Sequence, residues 1–222
     1  GTHSLFQEKI TYFNLGLIII DEQHKFGVNQ RKKLSDKGGK DCDVLVMSAT
    51  PIPRTMMMTI YGDMDISLIK SKPKNRKPIK TYSKNETKIN EVINFIKSEI
   101  LKRNQVFWVC PLIKESKKID HQSATEKYKN LSKIFKDRVD IVHGAMNKEE
   151  KDKVLNKFNE RKIDILVSTT VIEVGIDFPN ANVIVSENSN KYGLSQLHQL
   201  RGRVGRGNKE SACILMFKAG LS

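Results

Sequence analysis

Leu15-Gly16-Leu17-Ile18-Ile19-Ile20-Asp21-Glu22-Gln23-His24 is a near-continuous aliphatic run that ends abruptly in two acids, an amide and an imidazole. A strand with apolar residues at successive positions is expected to be buried on both faces, as in a parallel sheet layered between helices. Acidic residues at the carboxyl end of such a strand lie where open α/β sheets bind ligands. There, Asp21 can hold Mg2+ through water, and Glu22 can orient or deprotonate an attacking water. An acid pair alone also fits the start of a solvated loop; Gln23-His24 narrows the choice towards chemistry.

The next apolar run, Val44-Leu-Val-Met47, again stops in a polar motif, Ser48-Ala-Thr50-Pro51-Ile-Pro53-Arg54-Thr55. Its hydroxyls can bond to the acidic loop and relay nucleotide state, or Thr50 or Thr55 can simply cap a helix that proline begins. Two strands ending side by side in polar motifs favour the first reading. From Ile69 to Tyr82 the pattern breaks, with Pro73 and Pro78 set among six basic residues. That composition predicts a basic linker over residues 71–82, between a domain at 1–70 and another at 83–222.

The second domain is expected to restart with a helix capped by Ser83-x-x-Glu86 and carrying Ile89, Val92, Ile93, Ile96 and Ile100 on one face. Strands are expected at 106–113, 139–142, 163–167, 183–185 and 211–217, the last closing the sheet. Trp108 reads as core, and Asn147 with Glu150 as a helix cap. Alternation of strands with helical patterns argues for parallel sheets covered on both faces. Ser168-Thr169-Thr170, at a strand end before a helix, suits backbone phosphates. Gly175 and Asp177 follow, and Asp177 can accept from a ribose hydroxyl. Near the C-terminus stands Gln196-Leu-His-Gln199-Leu-Arg201-Gly202-Arg203-Val-Gly205-Arg206. Small residues between fixed cations let the backbone approach a ligand while guanidinium forks meet phosphate oxygens. A basic turn binding any polyanion is the plainer alternative.

Bulk properties set the outer limits. Of 222 residues, 38% are hydrophobic and 29% charged, the balance of a soluble globular protein. The run at 15–20 is far shorter than the roughly 20 residues that span a bilayer, and no leader is evident. Cys42, Cys110 and Cys213 are isolated, as expected for reduced, buried thiols in the cytoplasm rather than a metal site. The net charge of +14 favours a polyanionic partner, nucleic acid first, although a lysine-rich surface can raise charge without function.

Assembled, these motifs resemble the superfamily 2 helicase motors, and among them the RecG-type branched-DNA helicases. Asp21-Glu22-Gln23-His24, Ser48 to Thr55, Gly62-Asp-Met-Asp-Ile-Ser, Trp108 to Ile113 and Ser195 to Arg206 carry the likeness, which runs essentially end to end. Transcription-repair coupling translocases resemble the chain around Pro51 to Arg54 but carry a second Glu after the acid pair. The resemblance implies an α/β fold of two RecA-like parallel-sheet domains, the first N-terminally truncated, with ATP and Mg2+ between them and branched or forked DNA across both. It implies Asp21 at the Mg2+, Glu22 activating water, and Arg203 and Arg206 at the γ-phosphate. His24, Gly175, Asp177 and Gln199 would couple the nucleotide to domain closure. Thr2, His3, Thr169, Thr170 and, more weakly, Arg54 would contact DNA.

The departure is equally informative. Gly-x-x-x-x-Gly-Lys-[Ser/Thr] does not occur in these residues, and Gly38-Gly39-Lys40 has the wrong spacing. The chain is therefore expected to be a motor fragment without ATPase activity by itself, and a cut sheet would leave a strand edge open to self-association. A non-catalytic basic module that binds nucleic acid or scaffolds partners is the contrasting reading. Retention of Glu22, Arg203 and Arg206 argues against it.

Overall fold

The computed structural model describes residues 1, 3–7, 9–22, 36–38, 41–48, 65–69, 71, 77–111, 117–169, 178, 180–205 and 207–218, with backbone alone at 3, 6 and 117–122. It divides into two compact units, Gly1–Leu68 and Ile69–Ser222.

In the first unit, β1 (Leu17–Ile20) and β2 (Asp43–Val46) pair in parallel, Ile20 opposite Val46. A one-turn helix, His3–Phe6, precedes them. Ile18 and Ile20 are 5% exposed, but Leu17 and Ile19 remain 53% and 56% exposed, so β1 is buried on one face only. The expectation of burial on both faces is corrected here. Successive strand residues point to opposite sides, and the side carrying Ile18 and Ile20 is the buried one.

The second unit is a six-stranded, wholly parallel sheet in the order β3-β8-β7-β4-β6-β5. The strands are β3 (Ile79–Asn85), β4 (Gln105–Val109), β5 (Val139–Val142), β6 (Ile165–Ser168), β7 (Ala181–Ser186) and β8 (Ser211–Phe217). Between them run α1 (Ile89–Leu101), α2 (Lys117–Phe135), α3 (Lys148–Asn159) and α4 (Leu194–Arg201). Strand β4 shows why its sequence is apolar throughout. Val106 and Trp108 face a core with Val92 and Ile96 of α1 and Leu131 of α2, while Phe107 and Val109 face Leu155 and Phe158 of α3 and Leu200 of α4. Asn147 caps α3 in the expected box: its side chain accepts from the Glu150 amide at 2.8 Å, and Glu150 reaches back to the Asn147 amide at 3.0 Å.

Three expectations shift. Residues 79–82, assigned to the linker, form the first half of β3, because Ile79, Thr81 and Tyr82 suit a strand and β8 supplies a parallel partner. Lys80 and Lys84 then guard an edge strand. Ser83 consequently lies inside β3, and Asn85 is the cap, accepting from the Thr87 amide at 3.0 Å. Strand β8 does not close the sheet; it lies between β3 and β7.

No described helix is long and apolar enough to cross a membrane. Cys110 and Cys213 are buried, whereas Cys42 is half-buried, against the expectation for all three. Burial pushes the Cys213 thiol up to about 11 and raises that of Cys110 further. Only thiolates attack disulfide reagents. Native chain at pH 8 should therefore release one equivalent from Ellman's reagent rapidly, at Cys42, and three after unfolding. Fast release of two or three equivalents from the native chain would contradict the burial.

Candidate functional site

The pairing of β1 with β2 brings Asp21-Glu22 beside Met47-Ser48 at one carboxyl edge, with the Met47 amide donating to Ile20 O at 2.8 Å. Asp21 is exposed, and its Oδ1 accepts from the Glu22 amide at 2.8 Å. Glu22 takes a left-handed conformation, φ 51°, and its Oε2 is shielded from solvent. A non-glycine residue there costs roughly 1–2 kcal/mol, a cost that tends to persist where a site requires it. The two carboxylates differ in exposure, Asp21 open to solvent and Glu22 half-buried with one oxygen shielded. Such a division suits one carboxylate for a hydrated ion and the other for a water molecule.

In the second unit, Gln199 and Arg203 stand four residues apart where α4 ends, both half-buried. Gly202 closes the helix, its amide donating to His198 O at 3.1 Å. Val204, fully buried against the α3 side of the core, pins the segment that follows. Gly205 then turns at φ +73°, and a Cβ there would stand 3.1 Å from Ile79 Cγ1 and 3.2 Å from Ser211 Oγ. Only glycine fits that turn without displacement. Thr169 is elsewhere. It follows β6 at the carboxyl edge of the sheet, 2% exposed, with no hydrogen-bond partner for Oγ1 among the described residues. The arginine segment borders the amino ends of β3 and β8. The fold thus separates Arg203, expected at nucleotide, from Thr169, expected at DNA, on opposite ends of one sheet.

His3 opens the one-turn helix and is described by its backbone alone. Thr2, His24, Arg54, Thr170, Gly175, Asp177 and Arg206 lie outside the described residues.

One polar group at the carboxyl edge escaped sequence reasoning. Glu187, immediately after β7, pairs with Lys127 of α2 at 2.6 Å and accepts from Cys110 Sγ at 3.6 Å. Lys127 also lies 5.2 Å from the centre of the buried Trp108 ring. Beside them, Asn188 adopts φ 44° and helps line an open cavity of about 280 Å³ with Glu86, Lys127 and Glu187. The signal was available: an acid directly after a buried parallel strand is the pattern that singled out Asp21 and Glu22.

Residues 87–208 match the helicase conserved C-terminal domain, just over half of the chain. The chain belongs to that family. Across 97% of its length it is 53% identical to the ATP-dependent DNA helicase RecG of Thermotoga maritima and 49% identical to that of Bacillus subtilis. It spans only 28% and 32% of those two proteins. All of it superposes on 28% of a solved RecG bound to a three-way DNA junction, with TM-score 0.72 and 48% identity. The yeast Dbp5 structure bound to RNA and ADP BeF3 shares the fold at 20% identity, TM-score 0.66, over 98% of this chain and 57% of that one.

Proposed function

We propose that the chain is part of the motor of an ATP-dependent DNA helicase that remodels branched DNA, forks and junctions, in repair and recombination. The observation that carries this is identity near one half with RecG across almost the whole chain, the solved relative holding a three-way junction. Residues 1–70 would be the later part of one RecA-like domain, and a second, whose sheet starts with β3 at Ile79, would follow the basic stretch 71–78. DNA as substrate sets the protein in the cytoplasm. The truncated sheet edge would give the isolated chain a route to self-association.

The side-chain chemistry of the motif residues supports the roles proposed for them. Asp21 is an exposed carboxylate, the donor that Mg2+ accepts while keeping water and phosphate ligands. When bound, Mg2+ would offset charge on the ATP phosphates. Glu22, half-buried with one oxygen shielded, would take a proton from the attacking water. Arg203 and Arg206 would stabilise charge developing on the γ-phosphate, with His24, Gly175, Asp177 and Gln199 linking occupancy to closure. Thr2, His3, Arg54, Thr169 and Thr170 would hold DNA phosphates, which position a strand without reading bases. The 222 residues contain no Gly-x-x-x-x-Gly-Lys-[Ser/Thr] loop, so the chain by itself is expected not to hydrolyse ATP.

The test is Glu22→Gln in the full-length protein. ATP binding should persist while junction-stimulated hydrolysis falls at least about 100-fold, the usual range for a lost general base. Near-normal hydrolysis would remove Glu22 from the mechanism. A full-length protein that binds junctions but never hydrolyses ATP would favour a non-catalytic basic binder instead.

A further inference from the structure

A chain of buried polar side chains runs along the amino edge of the second unit. Lys102 Nζ donates to Glu99 Oε1 at 2.7 Å, and Asn104 Nδ2 to Glu99 Oε2 at 2.6 Å. Asn182 Nδ2 donates to Asn104 Oδ1 at 3.0 Å and to Asn180 O at 3.2 Å. Ser211 Oγ then donates to Asn182 Oδ1 at 3.3 Å. Asn182 is wholly buried, and Glu99, Asn104 and Ser211 are each less than 9% exposed. Both donors and the acceptor of the Asn182 amide are engaged, which fixes its orientation.

A sheet needs no such network to pair its strands, and polar groups are costly in so apolar an environment. Its far end shows what it touches. Ser211 Oγ, the terminal donor, stands 3.2 Å from the Cβ position of Gly205, and the adjoining Lys209 Nζ also donates to Asn104 Oδ1 at 3.3 Å. Glu210 between them pairs with Lys80 at 3.1 Å. The chain to either side of the Gly205 turn is therefore clamped twice. Val204 in the apolar core holds its start, and the polar chain holds its end.

We propose that Ser211 and Asn182 are positioning residues for Arg206, fixing the Gly205 turn that precedes it in the chain. The hydroxyl of Ser211 props the left-handed turn at Gly205, the residue directly before Arg206. Asn182 holds that hydroxyl against the end of α1, and Ile79 closes the other side of the turn. Loss of the prop lets the turn relax and frees Arg206 to leave the reacting phosphate. This role rests on the arginine assignment proposed above.

Ser211→Ala in the full-length protein tests it, alone and combined with Arg206→Ala. Alone, it should lower junction-stimulated kcat between about 10- and 100-fold, the scale of an ångström misplacement at a reacting centre, with KM for ATP and junction affinity unchanged. Added to Arg206→Ala, it should cost nothing further, because the group it positions is gone. Lys209→Met, at an exposed side chain that cannot threaten folding, should show a smaller loss with the same dependence on Arg206. The proposal is overturned if Ser211→Ala leaves kcat intact, or lowers it equally in both backgrounds as general loosening would. Unaltered turnover in Arg206→Ala itself would overturn the arginine assignment and this role with it. A normal loss in Arg206→Ala beside a silent Ser211→Ala would sink the positioning role alone.

Discussion

ATP turnover by the full-length protein is expected to fall at least about 10³-fold when Arg206 is replaced by Ala, with junction affinity preserved. The size follows from where the charge develops. Phosphoryl transfer spreads negative charge over the equatorial oxygens, and a guanidinium already in place stabilises it without reorganising at the moment of reaction. The surrounding segment is built for such fixity. Gly202 ends α4, Val204 is anchored in the core, and Gly205 makes a turn that no Cβ would fit without displacement. Arg206→Lys should recover little, since an ammonium presents a point charge where a planar fork is required. Arg203→Ala should also be damaging. Steady-state hydrolysis with saturating three-way junction measures all three. Activity within about threefold of wild type in Arg206→Ala would mean that this residue does not meet the γ-phosphate.

Much of the architecture was legible because it depends on burial patterns that sequence displays directly. The apolar runs of β4 to β8 announce strands covered on both faces, and Asn147 with Glu150 announces a cap; the structure has both. Misreadings came where two local signals compete. Ile79 to Tyr82 follows a proline-rich basic stretch, so composition suggested a linker. Pairing with β8, more than 120 residues away in sequence, makes it a strand. Leu17 and Ile19 read as buried because hydrophobicity records what a position is built to contact, yet both stay more than half exposed. Motif residues were legible as chemistry, but their grouping was not. Thr169 and Arg203 belong to opposite ends of one sheet, a separation set by α4 running back from the end of β7 to the start of β8. Asn104, Asn182 and Ser211 passed unnoticed, since single polar residues at strand starts look like ordinary solvent-facing positions until long-range contacts join them.

Phe158→Ala should destabilise the second unit by about 3–5 kcal/mol, a large share of the roughly 5–15 kcal/mol that keeps a typical domain folded. Phe158 is fully buried near the end of α3, with ring centroids 5.1 Å from Phe107 and 5.3 Å from Phe178, themselves 5.6 Å apart. Truncation empties the centre of that triangle. It loses the transfer free energy of a whole aromatic side chain and leaves a cavity which a packed sheet cannot close. Backbone groups compound the effect. Gln105 Nε2 donates to Phe158 O at 2.6 Å and to Ile163 O at 2.9 Å, so the same position ties α3 to the start of β4. A helix end that shifts into the void strains both bonds, and a buried amide left unpaired costs about 1–3 kcal/mol. Phe158→Leu keeps most of the volume and should lose less than half as much. Urea unfolding of the 222-residue chain, monitored by Trp108 fluorescence, reads both values because Trp108 lies in β4 beside Phe107. A loss below about 1 kcal/mol for Phe158→Ala would show that the aromatic triangle is not what holds α3 to the sheet. The second unit would then depend chiefly on the opposite core of α1, α2 and Trp108.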